Sequence, residues 1–365
     1  MAPTDKPLSN KRPWDKYDNK DLHPKKRIFL SIDAIGSTRL KSSLIEKGST
    51  PDIWATYFLA FLPEVVVVYR NKLVEVINKQ CRSTCPNPCV PELEKERAFR
   101  HTVNVWKYIG DEVVLVAELT CKDYHASLHV LALAETIKQF NSDFADKPIL
   151  NDPNNLLRFK GTAWVAGFPV TNIELDLPGP NKEQTVKDFI GPSIDLGFRL
   201  SKFASEDRLI ISASLAHLIL SEPPMKEPIM YMEEKETNLR LCFGGLVEVK
   251  GVKDNNHPLI WYSVNETEES KLCRSDLGKL RNFIKEGPLK DLTVLPFILD
   301  DSSVDQKYDM EYKKAVEAQK KIPGSIFYPK GKHRVTSPAK KPAKKPLDLN
   351  ANKIVERIPI IETHD

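Results

Sequence analysis

Two short stretches of this chain place carboxylates where divalent cations could be held. Ile28-Phe29-Leu30-Ser31-Ile32-Asp33-Ala34-Ile35-Gly36-Ser37-Thr38 is an apolar run of β type that delivers Asp33 and turns at a glycine followed by two hydroxyl residues. Val105-Trp106-Lys107-Tyr108-Ile109-Gly110-Asp111-Glu112 carries β-formers into a Gly-Asp turn, and Val113-Val114-Leu115-Val116 leaves it, a hairpin signal with Asp111 at its tip. Acids at the ends of adjacent strands can share two hard cations, because Mg²⁺ or Mn²⁺ takes one or two carboxylates and leaves its other positions to substrate phosphates. Phosphoryl transfer is the chemistry this suits. Taken singly, each acid has a plainer reading: Asp33 as a helix cap, Asp111 as a turn residue, Glu112 as a solvated neighbour.

Further downstream, Lys187-Asp188-Phe189-Ile190-Gly191-Pro192 brings an acid to a glycine turn, and Pro192 opens a helix. Asp195 and Arg199 stand four apart in that helix and so share a face. A late Val249-Lys250-Gly251 adds a lysine at a turn.

These residues need elements to hold them. Residue patterning predicts a strand over Arg27–Asp33, a helical region over Asp52–Gln80 interrupted near Pro63, and a hairpin over Thr102–Glu118. A helix follows over Tyr124–Ala145, then a strand over Phe159–Val170, a polar loop from Asp176 to Thr185, and the helix opened by Pro192. A strand over Arg208–Ser212 and a hairpin of Leu246–Gly251 with Pro258–Val264 complete the alternation, which implies one α/β domain with a mixed sheet over residues 25–265. Residues 1–24 read as a disordered basic tail, 266–335 as an extension with a helix at Asp309–Lys321, and 336–365 as a Lys/Pro-rich tail.

Composition excludes several classes. With 41% hydrophobic and 28% charged residues the chain reads as an ordinary soluble protein, and its net charge of +4 is concentrated at the two ends. Those ends lack interleaved aromatics and any nucleic-acid motif, so no nucleic-acid partner is expected. No apolar run reaches the roughly 20 residues that cross a bilayer, and the N-terminus has no apolar signal core, so a cytoplasmic protein off the membrane is expected, with its six cysteines reduced. Cys81, Cys85 and Cys89 cluster at even spacing within an unusual insertion at about 80–100. That spacing is not that of a zinc knuckle, even with His101 as a fourth donor, and an exposed reduced loop is expected. His125, His129 and His217 fall in helical segments and read as packing or surface residues.

In order and in flanking pattern these motifs resemble the catalytic domain of class III nucleotidyl cyclases, over roughly Arg27 to Val264. The resemblance implies a mixed, mostly antiparallel sheet flanked by helices. It implies that Asp33 and Asp111 hold two divalent cations, Mn²⁺ or Mg²⁺, and that the backbone of Ile35, Gly36, Ser37 and Thr38 cradles a triphosphate; the backbone at Ala34 has no assigned role. Lys107 and Asp188 match the family's base-reading pair, Arg199 its transition-state arginine, and Lys250 its phosphate lysine. Asp195 departs from the family, which has Asn there. The metal acids come from one protomer and the remaining groups from the other, which implies a homodimer with sites at the interface. Substrate would be a nucleoside triphosphate, and the products a 3′,5′-cyclic monophosphate and pyrophosphate.

A lysine donor beside an aspartate acceptor matches adenine, cytosine or uracil and fits guanine badly. Tyr108 and Phe189 flank the pair, and bulky rings there would favour a pyrimidine. The stand-alone build is similar to the pyrimidine cyclases of Pycsar antiphage systems, which points to UTP ahead of CTP. The alternatives are an adenylate cyclase making cAMP from ATP and a catalytically inactive cyclase fold that binds nucleotide and regulates something else.

Overall fold

A computed structural model describes residues 25–48, 50–84, 103–119, 126–145, 157–169, 171–178, 185–221, 241–251 and 256–265, with fragments at 267–270 and 314–322. The chain runs β1 (Lys25–Ile35), α1 (Ser37–Glu46), α2 (Pro51–Thr84), β2 (Val103–Ile109), β3 (Glu112–Leu119), α3 (Ala126–Ala145) and β4 (Arg158–Phe168). It continues through β5 (Ile173–Pro178), β6 (Thr185–Ile190), α4 (Pro192–Leu200), a 3₁₀ turn at Ser201–Phe203, β7 (Arg208–Ile211), α5 (Ala213–Ser221), β8 (Leu241–Glu248) and β9 (Asn256–Ser263).

Seven strands form one sheet in the order β2-β3-β1-β4-β7-β9-β8, and β5 pairs with β6 in a separate ribbon. Every pairing in the sheet is antiparallel except β4 with β7. The expected mixed, mostly antiparallel sheet flanked by helices is therefore present. Period-two alternation explains how one sheet serves two cores. Ile28, Leu30 and Ile32 of β1 join Val113 and Leu115 of β3 in the larger core, which packs against α2, α3 and α5. Phe29, Val114 and Trp164 point the other way into an aromatic core with Phe189 and Ile194, where α4 packs on β4. Phe29 stacks on Trp164 with centroids 5.5 Å apart.

Four expectations need correction. The helix predicted to break near Pro63 runs through it as α2. Phe58, Phe61, Val65, Tyr69, Leu73 and Ile77 are buried along its length, and that packing outweighs the one backbone hydrogen bond proline removes. The polar loop expected from Asp176 to Thr185 is in part the β5–β6 ribbon, where Leu175 pairs with Asp188 and Leu177 with Val186. Here cross-strand pairing overrides a polar composition. The late hairpin begins earlier than expected on both strands, at Leu241 and Asn256. Phe189 is 3% exposed in the aromatic core, so its ring does not wall a base pocket, whereas Tyr108 is exposed.

Cys81 lies in the last turn of α2, while Cys85, Cys89, His101 and His125 fall outside the described residues, as do residues 1–24 and 336–365; of the helix expected at Asp309–Lys321, residues 314 and 316–319 are helical, and 309–313 and 315 fall outside the described residues. His129 and His217 are buried in α3 and α5, in keeping with a packing role. Among the described residues no helix is long and apolar enough to cross a membrane.

Candidate functional site

Asp33 sits near the C-terminal end of β1 with Glu112 of β3 directly across on one side and Lys160 of β4 on the other. Lys160 Nζ lies 3.2 Å from Asp33 Oδ2. Asp111 occupies the β2–β3 turn, made possible by Gly110 at a φ of 64°, and Lys41 of α1 approaches its Oδ1 at 3.8 Å. Burial raises the Asp33 carboxyl above its ordinary range; Lys160 works against that rise and the charge of Asp111 adds to it. Glu112 is raised as well, by burial first and then by Asp33 and Asp111, while the hydroxyl of Ser31, which donates to Glu112 Oε1, offsets part of the rise. Glu112 is thus no solvated neighbour: it faces the two predicted metal acids.

Such a cluster fits divalent cations. Partly desolvated carboxylates that repel one another, and that draw two lysines alongside, are stabilised by added positive charge. Among the described residues no group of three or more His, Cys, Asp or Glu side chains is arranged to hold a metal on its own. Two carboxylate positions, with substrate oxygens completing the shell, are what Mg²⁺ or Mn²⁺ requires.

Immediately after Asp33 the chain reaches Gly36, whose φ of 81° makes it the left-handed start of α1. No side chain caps this end, and the first helical bond runs from the Leu40 amide to the Gly36 carbonyl at 2.9 Å. The amides of Ser37 and Thr38 therefore precede the first bonded turn, at the positive end of the helix dipole, where an oxyanion can be received.

Four residues before Asp111, on the edge strand β2, the second group assembles. Lys107 Nζ lies 2.7 Å from Asp188 Oδ1, although the two residues are far apart in sequence. Trp106 Nε1 donates to the same oxygen at 3.1 Å, and the Phe189 amide does so at 2.8 Å. Lys107 also stands over the Trp106 ring, 4.6 Å from its centroid.

The third group is built by α4. Gly191, at a φ of 146°, passes so close to Asn172 that a Cβ there would meet Asn172 Oδ1 at 2.4 Å. Asn172 is fully buried, accepts from the Ser193 amide at 3.1 Å and donates to the Gly167 carbonyl at 2.9 Å, tying the start of α4 to the end of β4. Gly197 lets α4 lie against Trp164, since a Cβ there would fall 2.2 Å from the ring. Asp195 is then in the first turn and Arg199 in the last. The Arg199 guanidinium rests against Gly251, its Nη1 2.7 Å from where a Cβ would stand, so Arg199 and the Lys250-Gly251 turn are neighbours. No ion pair joins Asp195 to Arg199 among the described residues.

The structure thus brings together Asp33 with Asp111 beside Gly36, Ser37 and Thr38; Lys107 with Asp188; and Arg199 with the turn at Lys250. No ion pair links the first group to the other two among the described residues. Sequence reasoning missed Lys160, Lys41, Trp106 and Asn172. The first three carry only a weak signal, a cation or indole near a motif; Asn172 carries none, because its partners are backbone atoms of distant segments.

No family model matches this chain, and no curated protein matches it in sequence. Among solved structures, it is similar to the adenylyl cyclase CyaB from P. aeruginosa, at 12% identity and a TM-score of 0.40, over 68% of this chain and 97% of that one. The guanylate cyclase domain of RhGC from Catenaria anguillulae gives 12% identity and a TM-score of 0.40, over 67% and 100%. The guanylyl cyclase Cya2 gives 14% and 0.34, over 69% and 98%. Identity and TM-score are both low, so a functional reading has to rest on the residues themselves.

Proposed function

We propose that this protein is a nucleotidyl cyclase that converts a nucleoside triphosphate, a pyrimidine nucleotide by preference, to its 3′,5′-cyclic monophosphate and pyrophosphate. The observation that carries the reading is the pairing of Asp33 with Asp111 beside the uncapped N-terminus of α1, a combination suited to a cation-bound triphosphate. Two divalent cations held by Asp33 and Asp111 would polarise the 3′-hydroxyl and neutralise the phosphates. The amides of Ser37 and Thr38 receive phosphate oxygens. Arg199 stabilises charge that develops on the α-phosphoryl group and the departing pyrophosphate, and Lys250 beside it holds the released anion. The 3′-oxygen bonds to the α-phosphorus as the bridging α–β P–O bond breaks, and the hydroxyl proton passes to solvent.

The sequence resemblance supports a homodimer in which each site takes its acids from one copy and its base pair and arginine from the other. For the base, Lys107 and Asp188 offer one donor and one acceptor, which match uracil and cytosine alike, and the sequence resemblance to Pycsar-type pyrimidine cyclases is what sets UTP ahead of CTP, as the source of an antiphage signal. The same pair matches the N1 and 6-amino group of adenine, which keeps ATP as the second reading. The test is incubation with Mn²⁺ and each of ATP, GTP, CTP and UTP, with products identified by mass spectrometry and Asp33→Ala as control. A cyclic pyrimidine nucleotide lost in the variant is the expected result. Cyclic AMP alone would transfer the protein to the adenylate cyclases. No cyclic product from any of the four would leave an inactive fold that binds nucleotide.

A further inference from the structure

We propose that Trp106 is a positioning residue for base selection, locking the Asp188 carboxylate so that a single oxygen is offered to the substrate; this rests on the reading of Lys107 and Asp188 as the base contacts. A carboxylate on a short side chain has a broad terminal torsion and can present either oxygen in many planes. Here one oxygen, Oδ1, takes three donors: Trp106 Nε1 at 3.1 Å, the Phe189 amide at 2.8 Å and Lys107 Nζ at 2.7 Å. Oδ2 has no partner among the described residues. The plane is fixed from three directions, and Oδ2 is left as a pure acceptor beside a lysine that is a pure donor.

A tryptophan suits this task for two reasons. Its indole N–H only donates, unlike an amide or hydroxyl, which could reorient and accept. Its ring is also immobilised, with centroids 5.2 Å from Phe29, 5.2 Å from Phe189 and 5.9 Å from Phe198. A packed aromatic cluster therefore holds the donor that holds the acid.

Its placement comes from a bulge. Val105 pairs with Leu115, yet the next pairing is Lys107 with Val114, so Trp106 is an extra residue in β2. Paired residues share a sheet face. Leu115 belongs to the larger core and Val114 to the aromatic one, so the extra residue moves Lys107 from the face of Val105 to the face of Trp106 and Asp188. Without it, strict alternation would put Lys107 and Trp106 on opposite faces. The bulge thus places donor and acceptor side by side. The site then selects a base edge with an N–H for Oδ2 next to an acceptor for Lys107.

Trp106→Phe keeps an aromatic ring in the cluster but removes the indole N–H together with part of the ring's volume. The readout is kcat and KM for UTP, CTP, ATP and GTP on one preparation, because a ratio of kcat/KM values between two nucleotides cancels the folded fraction. We expect KM for the preferred nucleotide to rise roughly tenfold, its preference over the next nucleotide to fall by a similar factor, and kcat to change little. Unchanged ratios, or a parallel loss for all four nucleotides, would overturn the proposal while leaving the cyclase reading intact. Absence of any cyclic product from the wild-type chain would overturn both.

Discussion

Replacing Gly251 with alanine separates the geometry of Arg199 from the stability of the fold. A Cβ at position 251 would stand 2.7 Å from Arg199 Nη1 and 3.2 Å from both Cζ and Nη2. Ordinary contact lies near 3.5 Å or beyond, so the guanidinium must retreat by close to 1 Å. An arginine tip can make that move at little cost in stability, and for that reason the damage falls on activity. A misplacement of this size costs about a hundredfold in rate when the displaced group acts in the transition state. The backbone adds strain of its own, because Gly251 has a φ of 76°, where a side chain costs about 1–2 kcal/mol. Gly245 supplies the control: its φ is 85° and nothing lies within 4 Å of its Cβ position. Gly245→Ala and Gly251→Ala should therefore lose a similar few degrees of Tm, about 2–8 °C. Only the second should lose kcat, by about two orders of magnitude with KM little changed. Steady-state cyclization of the preferred nucleotide, with Tm by calorimetry, decides the matter. Equal kcat in the two variants would refute the placement of Arg199 at the reacting phosphate.

Three further predictions follow the same lines. Asp33→Ala and Arg199→Ala should each be inactive alone, but mixing them at equal concentration should restore about one quarter of the wild-type rate, since half the dimers are mixed and each has one intact site; no recovery after subunit exchange would exclude a site shared between copies. Asp33 and Glu112 have raised carboxyls, burial being the first cause. In the metal-free protein their contribution to stability is thus present at acid pH and lost as pH rises through the folded values, and binding Mn²⁺ should release protons, measured in buffers of different ionisation enthalpy, with the Mn²⁺ needed for half-maximal rate climbing as pH falls. Glu174 behaves oppositely: burial opposes its ionisation, but Lys187 and Arg27, with Arg27 at 3.0 Å, outweigh it and lower its carboxyl, so the stability it lends to the β5–β6 ribbon is present above the unfolded value and lost as pH falls through the folded one, and Glu174→Gln should flatten the acid limb of Tm against pH.

What was legible in the sequence is local in origin. Asp33 and Asp111 could be read because each sits at the end of one apolar run beside one glycine, and a strand end or hairpin tip is specified by the residues next to it. Lys107, Asp188, Arg199 and Lys250 could be placed only by matching an ordered pattern. The structure then brought the first two together and set the last two side by side. Errors arose wherever long-range pairing decided the outcome. The β5–β6 ribbon has a loop's composition, yet Glu174 gains Arg27 from β1, and Pro63 is tolerated because a row of buried side chains holds α2 on both sides of it.

The same distinction explains why the supporting residues escaped notice. A bulge in β2 is a property of its register against β3, and no residue of Val105-Trp106-Lys107 announces it. Read as regular alternation, that stretch puts Lys107 on the face of Val105, away from the aromatic core. Asn172 likewise acts on backbone atoms of β4 and α4 that only the folded chain makes adjacent. Groups that would touch a substrate lie on short motifs, and the groups that aim them lie elsewhere in the chain. A variant of the first kind would lose the reaction, whereas a variant of the second, such as Trp106→Phe, would keep the reaction and weaken its preference among bases.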